Sequence, residues 1–425
     1  MGMKSKMCTL TDKYIAFMLF VFPLWLSPGG YTDITRWKFA FFAAATSIWA
    51  VLLVFFAVKE RMPPRLPRCF TVTVLLFLVW AALSAALSGY GARTLLGYHY
   101  DGLIPLALYA VILLGCAGYG EFHKYYVYLL GASAALCCLL ALVQLMGYNP
   151  LGLYPEGMDY YDSGVSYTGA FLGTLGNTNI LGAFLCISCL LTGFAALHYG
   201  GRDLLLLLPS ALCALVAVLS KSEAALLGTA AGALIGIPYY VSLYSSRRPA
   251  LIFLGCEAAL LIAGLALVYF AAPASGTLYE LHEILHGRIS DSFGSSRIAI
   301  WREALRLFAE EPLTGGGPGT FGLRSTLEFS RYVAETGATL TTRADNAHCM
   351  LLGYLADLGL PGALAYAALC IVIMRRAAKS GFPALFPALA GYLVQSLFGL
   401  GTCFILPIVC IFSGLSVTDS RNLHV

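Results

Sequence analysis

Arg343, Asp345, Asn346 and His348 fall within six positions, and the chain turns apolar immediately after them. Histidine, with an ordinary pKa of about 6.5, accepts a proton near neutrality. His348 is therefore a candidate general base, and Asp345 or Asn346 is placed to orient its ring. The 271–347 stretch just before it holds seven arginines, Arg288, Arg297, Arg302, Arg306, Arg324, Arg331 and Arg343, and no lysine. A guanidinium grips phosphate in a planar, two-pronged way that an ammonium cannot. Such a stretch, held on a membrane, suits a lipid phosphate or diphosphate. Two plainer readings stay open. The arginines also balance carboxylates such as Glu280, Glu303 and Glu335, and a single histidine at this boundary can be an interfacial side chain.

Around these residues, Ile298, Trp301, Leu305 and Phe308 recur at helical spacing, Ser295 or Ser296 can cap the start, and Pro312 stops continuation. The pattern predicts an amphipathic helix over 297–310 lying on a membrane face. Arg302 and Arg306 share its polar side, and Arg297 sits in its first turn, where free backbone N–H groups favour an anion. The following GGGPGT is not a phosphate loop. It lacks the Lys-Ser/Thr pair, and no strand precedes it. Its glycines let the chain turn back sharply. A second polar stretch, YPEGMDYYDSGVSYTG, places Tyr154, Tyr160, Tyr161 and Tyr167 among Glu156, Asp159 and Asp162. Aromatic faces beside acids suit sugar rings, and they equally suit an interfacial aromatic belt.

The elements that must position these residues are membrane spans. Hydrophobic residues make up 59% of the 425-residue chain and charged residues 11%, and mean hydropathy is +0.79. A soluble domain carries about 25% charged residues. The apolar runs approach the roughly 20 residues that cross a bilayer, and they lack the period-two alternation of barrel strands. The expected fold is an all-α integral membrane protein of about 12 transmembrane helices, at 14–28, 37–58, 69–87, 103–118, 125–146, 178–197, 204–219, 225–244, 250–270, 360–374, 382–398 and 403–415. Residues 1–425 form a single polytopic membrane domain, and the 271–347 loop between the ninth and tenth spans is its catalytic part. With the N-terminus in the cytoplasm, fifteen lysines and arginines lie inside. Only Arg36, Lys38, Arg93 and Lys221 lie in the short outer loops, and the seven loop arginines complete the 26. That bias puts both termini in the cytoplasm and both long loops, 147–177 and 271–347, outside. The first apolar segment has no small-residue cleavage site before Pro28 and reads as a retained span. The 13 cysteines lie mostly within spans and form no disulfide framework. The net charge of +4 serves topology and does not point to nucleic acid.

RIAIWREALRLFAEEPLTGGGPGTF, NAHCMLLGYLADLGLPG and GTLGNTNILG, with the long loop in place, resemble the shared elements of the O-antigen ligase and O-antigen polymerase family of bacterial polytopic membrane proteins. The resemblance implies an outer-face glycosyltransferase of the bacterial inner membrane. Its partners would be membrane lipids, a polyprenyl-diphosphate-linked glycan donor, and a glycan, lipid or protein acceptor. No metal, nucleotide or other cofactor is implied. The family's histidine matches His348 and its arginine before the tryptophan matches Arg297, which implies a base and a diphosphate clamp. Arg302, Arg324, Arg343 and Lys221 are further clamp candidates. Asp345, Asn346, Asn177, Asn179, Tyr160 and Tyr161 are expected to orient groups or touch glycan. The sequence departs from the family at Glu223, where an arginine is expected two residues after Lys221, and at Cys349, where an asparagine is expected. A flippase or exporter would want charges along a central path and a pseudo-repeat, and the chain is poor in both. A non-catalytic binder of lipid-linked glycans is the other alternative.

Overall fold

The computed structural model describes residues 6–418 apart from 65, 156–158, 163–164, 169–171, 272, 334–337 and 400. Within the strands, 159–162, 165–168, 331–333 and 338–340 are described by their backbone alone. The helices run α1 (Lys6–Leu24), α2 (Ile34–Glu60), α3 (Arg68–Leu87), α4 (Arg93–Leu96), α5 (Leu103–Tyr119), α6 (Tyr125–Leu145), α7 (Thr178–Tyr199), α8 (Leu207–Leu219), α9 (Glu223–Tyr244) and α10 (Arg247–Ala271). They continue with α11 (Gly276–Leu285), α12 (Phe293–Glu310), α13 (Phe321–Arg324), α14 (Met350–Ala377), α15 (Leu385–Ser396) and α16 (Leu406–Val417). The chain is an all-α membrane protein. Among the described residues nine helices are long and apolar enough to cross a bilayer: α1, α2, α3, α6, α7, α8 with the 3-10 turn before it, α9, α10 and α14. Three expected spans are shorter. Helix α5 has 17 residues, and α15 and α16 have 12 each. Twelve residues reach about 18 Å, less than the roughly 30 Å hydrocarbon core.

In lipid, helices gain little from hiding apolar groups and pack instead through small residues that let backbones approach. Helix α9 carries such a row at Gly228, Gly232 and Gly236, against α15 and α7. A Cβ at Gly232 would lie 2.3 Å from the Leu190 side chain and 2.8 Å from the Pro387 carbonyl. Helix α7 is buried on almost every side, whereas α10 buries only Ala250.

The feature that holds the long loop is a break in α14. Gly359 takes a left-handed backbone (φ 69) and Pro361 has no N–H to offer. The carbonyls of Ala356, Asp357 and Leu358 thereby lose helical partners, and other parts of the chain supply them. Gly316 N–H and Arg324 Nη1 donate to Ala356 O at 3.3 and 2.8 Å. Gly317 N–H and Ser84 Oγ donate to Asp357 O at 2.8 and 3.2 Å, and Trp80 Nε1 donates to Leu358 O at 2.8 Å. Leu360 N–H in turn donates to Pro312 O at 2.9 Å. The expected span starting at 360 is thus the part of α14 beyond the break. The segment before the break belongs with the loop.

Both long loops contain antiparallel hairpins that the all-helical expectation omitted. Strand β1 (Asp159–Asp162) pairs with β2 (Val165–Thr168), and β3 (Glu328–Val333) pairs with β4 (Ala338–Arg343) in the register Glu328 with Arg343. The β-branched Thr339, Thr341 and Thr342, paired with Tyr332, Ser330 and Phe329, are the sequence signal for the second hairpin.

Candidate active site at the start of helix α14

The regular part of α12 begins at Arg297, as the periodicity requires. Ser295 and Ser296 do not take the extended backbone of a cap. With Gly294 they form a left-handed turn (φ 62, 57 and 66). The buried stripe of α12 is also rotated from the expected one. Ile300, Ala304 and Leu307 pack with Phe321, Ala344, Ala347 and Ala356, while Leu305 is exposed and Ile298, Trp301 and Phe308 are half-buried. The helix therefore rests on the loop's own small core through one side. It leaves the expected stripe beside it, with Trp301 against Phe398 of the α15–α16 connection at 5.7 Å between rings.

That small core places His348. Asn346 Oδ1 accepts the His348 backbone N–H at 3.0 Å, and His348 sits in the left-handed region (φ 47) one residue before the α14 cap Cys349. A non-glycine residue held there is strained, and such strain gathers at functional sites. The imidazole is interior, and its Nδ1 has no hydrogen-bond partner among the described residues. Burial, reinforced by the charge of Arg297, lowers its pKa to about 4, and Asp345 opposes that shift. Asp345 is itself engaged by His99 Nε2 at 2.9 Å. Burial alone would raise its pKa, yet the His99 bond and the charges of His99 and His348 hold it below the ordinary carboxylate value. His99 belongs to the 97–102 turn before α5, where Asp101 Oδ1 accepts its backbone N–H at 3.2 Å. Burial raises the Asp101 pKa, His99 lowers it, and Asp345 adds to the rise. Sequence reasoning had no reason to select His99. It lies about 250 positions from its partner in the chain, and only packing brings the two together.

Arg297 donates from Nε to Phe398 O at 3.1 Å and from Nη1 to Gly294 O at 2.8 Å. Its Nη2 makes no hydrogen bond among the described residues. Burial lowers its pKa, and Glu223 and Glu280 raise it. Glu223, at the start of α9, thus faces Arg297 and also accepts from the Thr277 hydroxyl. The other clamp candidates do not converge equally. Arg302 is exposed and pairs with Asp291. Arg343 is exposed and donates to Leu323 O at 3.0 Å. Lys221 is exposed, in a left-handed turn (φ 52) two residues from Glu223. Arg324 does not fit a ligand-binding role. Its guanidinium is buried and consumed by Ala356 O, by Leu307 O at 2.7 Å and by Glu310 at 3.4 Å.

Among the glycan-contact candidates, Asn177 is a helix cap. Its Oδ1 accepts from the backbone of Asn179 at 2.8 Å and of Ile180 at 3.3 Å, which stabilises the start of α7. Asn179 is half-exposed in the first turn of α7. Tyr160 and Tyr161 lie on β1, and their side chains are outside the described residues. The glycine turn is packed against protein: a Cβ at Gly315 would lie 2.3 Å from the Asp357 carbonyl carbon, and at Gly319 2.5 Å from Asp101 Oδ1. Beside it, a cavity of about 50 Å³ is lined by Asp101, Asn346, Cys349, Tyr354, Asp357 and Gly401 among others.

Fold and site together define a polytopic helical membrane protein in which His348, Arg297 and the Asp345–His99 pair lie near the start of α14, beside a small cavity. Residues 208–367 match the family model for O-antigen ligase, and the chain carries an O-antigen ligase family domain there. The matched stretch runs from α8 through the loop into α14 and contains Lys221, Arg297 and His348. It does not reach His99, Asn177 or β1. No curated protein matches the chain. The match points to glycosyl transfer on lipid-linked glycans in a bacterial membrane.

Proposed function

We propose that the chain is an inverting, metal-independent glycosyltransferase that moves a glycan from a polyprenyl-diphosphate carrier to an acceptor hydroxyl. Loop 271–347 faces the outer side of the inner membrane, as the distribution of basic residues requires. The observation that carries this reading is His348, its Nδ1 buried and unbonded, near Arg297, whose Nη2 is open, inside the stretch that matches the O-antigen ligase model. His348 takes the proton of the acceptor hydroxyl as that oxygen bonds to the anomeric carbon. The bond to the diphosphate breaks on the opposite face, and the departing oxygen gains charge beside Arg297. Arg302, Arg343 and Lys221 contribute positive potential at the rim, where screening weakens them.

The two shifts work in sequence. Before donor binds, Arg297 helps hold His348 unprotonated. A diphosphate at Arg297 offsets that charge, so the histidine becomes a stronger base only when the donor is in place. Asp345, fixed by His99, stabilises the imidazolium that forms.

The test is transfer by purified protein in detergent, supplied with a prenyl-diphosphate glycan and candidate acceptors, without ATP or an ion gradient. Wild type is expected to form product. His348→Ala is expected to lose about 10²- to 10⁴-fold in kcat with its melting temperature unchanged. Normal transfer by that variant would overturn the role of His348.

A further inference from the structure

Native proteins leave few buried polar atoms unbonded, so a group of them in one place calls for an explanation. Eight residues have such side-chain atoms among those described. Ser222 is packed against Gly182 at the start of α9. Thr11, Trp49 and Ser188 are scattered along α1, α2 and α7. The other four, Trp301, His348, Gln395 and Thr402, gather around the connection between α15 and α16. Arg297 ties that connection to α12 through Phe398 O at 3.1 Å, and Trp301 lies on the Phe398 ring. Gln395 accepts the Phe398 N–H through its own carbonyl, and its side-chain amide lies beneath Gly399, where a Cβ would come within 2.3 Å of Nε2. Thr402 opens the first turn of α16, next to Gly401, which lines the cavity shared with Asn346 and Cys349.

We infer that this connection is the sugar-recognising wall of the site, with Trp301, Gln395 and Thr402 as specificity-determining residues for the glycan next to the diphosphate. The inference rests on the proposed glycosyl-transfer reading and adds to it residues that neither the motifs nor the loop arginines indicated. The chemistry of the four groups selects the ligand. An anion would be met by donors alone. Here the Trp301 indole N–H donates, the Gln395 amide donates and accepts, and the Thr402 hydroxyl does both. Sugar hydroxyls, which also donate and accept, match that mixed set. Gln395 and Thr402 lie outside the matched 208–367 stretch, beside a connection that Arg297 and Trp301 of α12 touch at Phe398.

The experiment removes the polar atoms while keeping shape: Thr402→Val, Gln395→Leu and Trp301→Phe. An unbonded buried polar atom replaced by an apolar one leaves stability unchanged or raised. The expected result is therefore an unchanged or higher melting temperature with about three- to tenfold weaker donor affinity per variant. Affinity is read from thermal protection by a prenyl-diphosphate-linked disaccharide, and the same prenyl diphosphate without sugar serves as the second probe. The sugar-free probe should protect wild type and all three variants alike. Variants that bind both probes as wild type does would show that the groups hold only water, and would overturn the inference. Variants that melt lower would show partners inside the protein, and would overturn it too. In wild type the disaccharide probe should protect more than the sugar-free probe, and equal protection would also count against it. Because protection is read without turnover, sugar discrimination in a protein that transfers nothing would sink the transferase reading alone.

Discussion

Two arginines in the same loop, 27 positions apart, do opposite things. Arg324 is buried with its fork spent on Ala356 O, Leu307 O and Glu310. One contact lies on the broken turn of α14 and two lie on α12, and the side chain ties those two helices together. Arg297 is held by two carbonyls at its Nε and Nη1 and keeps Nη2 open, with Glu223 and Glu280 close enough to raise its pKa and His348 close enough to feel its charge. The lesson is that a buried guanidinium with both terminal nitrogens bonded is a structural fastener, and one that keeps a terminal nitrogen open is a binding group. Counting arginines in a loop does not separate the two.

Arg324→Leu tests the fastening side hardest. It leaves the carbonyls of Ala356 and Leu307 without Arg324, at about 1–3 kcal/mol for each buried group left unsatisfied. The expected outcome is a large fall in melting temperature and in membrane abundance, while the donor KM of surviving protein stays as in wild type. A raised KM with normal stability would break the comparison. Arg297→Lys tests the other side. Lysine keeps the charge but loses the fork, so stability should hold while kcat/KM falls about 10- to 100-fold.

The pH profile sharpens the difference. His348 is active when neutral, so transfer is lost as pH falls through its folded pKa. For the free enzyme that value is about 4, so kcat/KM should stay flat through neutrality and drop only near pH 4. Arg297→Gln removes a positive neighbour, which favours the imidazolium, and should move the acid limb of kcat/KM to higher pH. Arg324→Gln should leave it in place. Smallest is Glu223→Gln. Removing the carboxylate opposite Arg297 frees its charge, and the donor should bind a few-fold more tightly, with salt weakening the gain. Weaker binding would mean that Glu223 aids the donor instead of competing with it.

Much of this was legible in the chain. The apolar runs fell where helices stand, the 297–310 helix begins at Arg297, and Gly359 with Pro361 marked the start of the expected span at 360. Other readings failed for definite reasons. The stripe Ile298, Trp301, Leu305, Phe308 had the right period but the wrong face, because Ile300, Ala304 and Leu307 were claimed by the loop's own core. Lys38 counted as an outer-loop charge, yet it is fully buried in α2, with Nζ donating to Phe22 O at 2.8 Å and Pro23 O at 3.0 Å at the end of α1.

The sequence by itself determined the solvent and the elements. Hydropathy demands helices in lipid, basic residues set an expected orientation, and the family resemblance implies one site for Arg297 and His348. Those are properties of composition and local order. Only the tertiary structure decided which polar groups are spent. The partner of Asp345 is His99, the carbonyls that engage Arg324 come from a helix break 32 residues away and from α12, and Trp301, Gln395 and Thr402 keep unpartnered polar atoms. Hydrogen-bond satisfaction is a sum over neighbours in space, and a list of residue types carries no record of it.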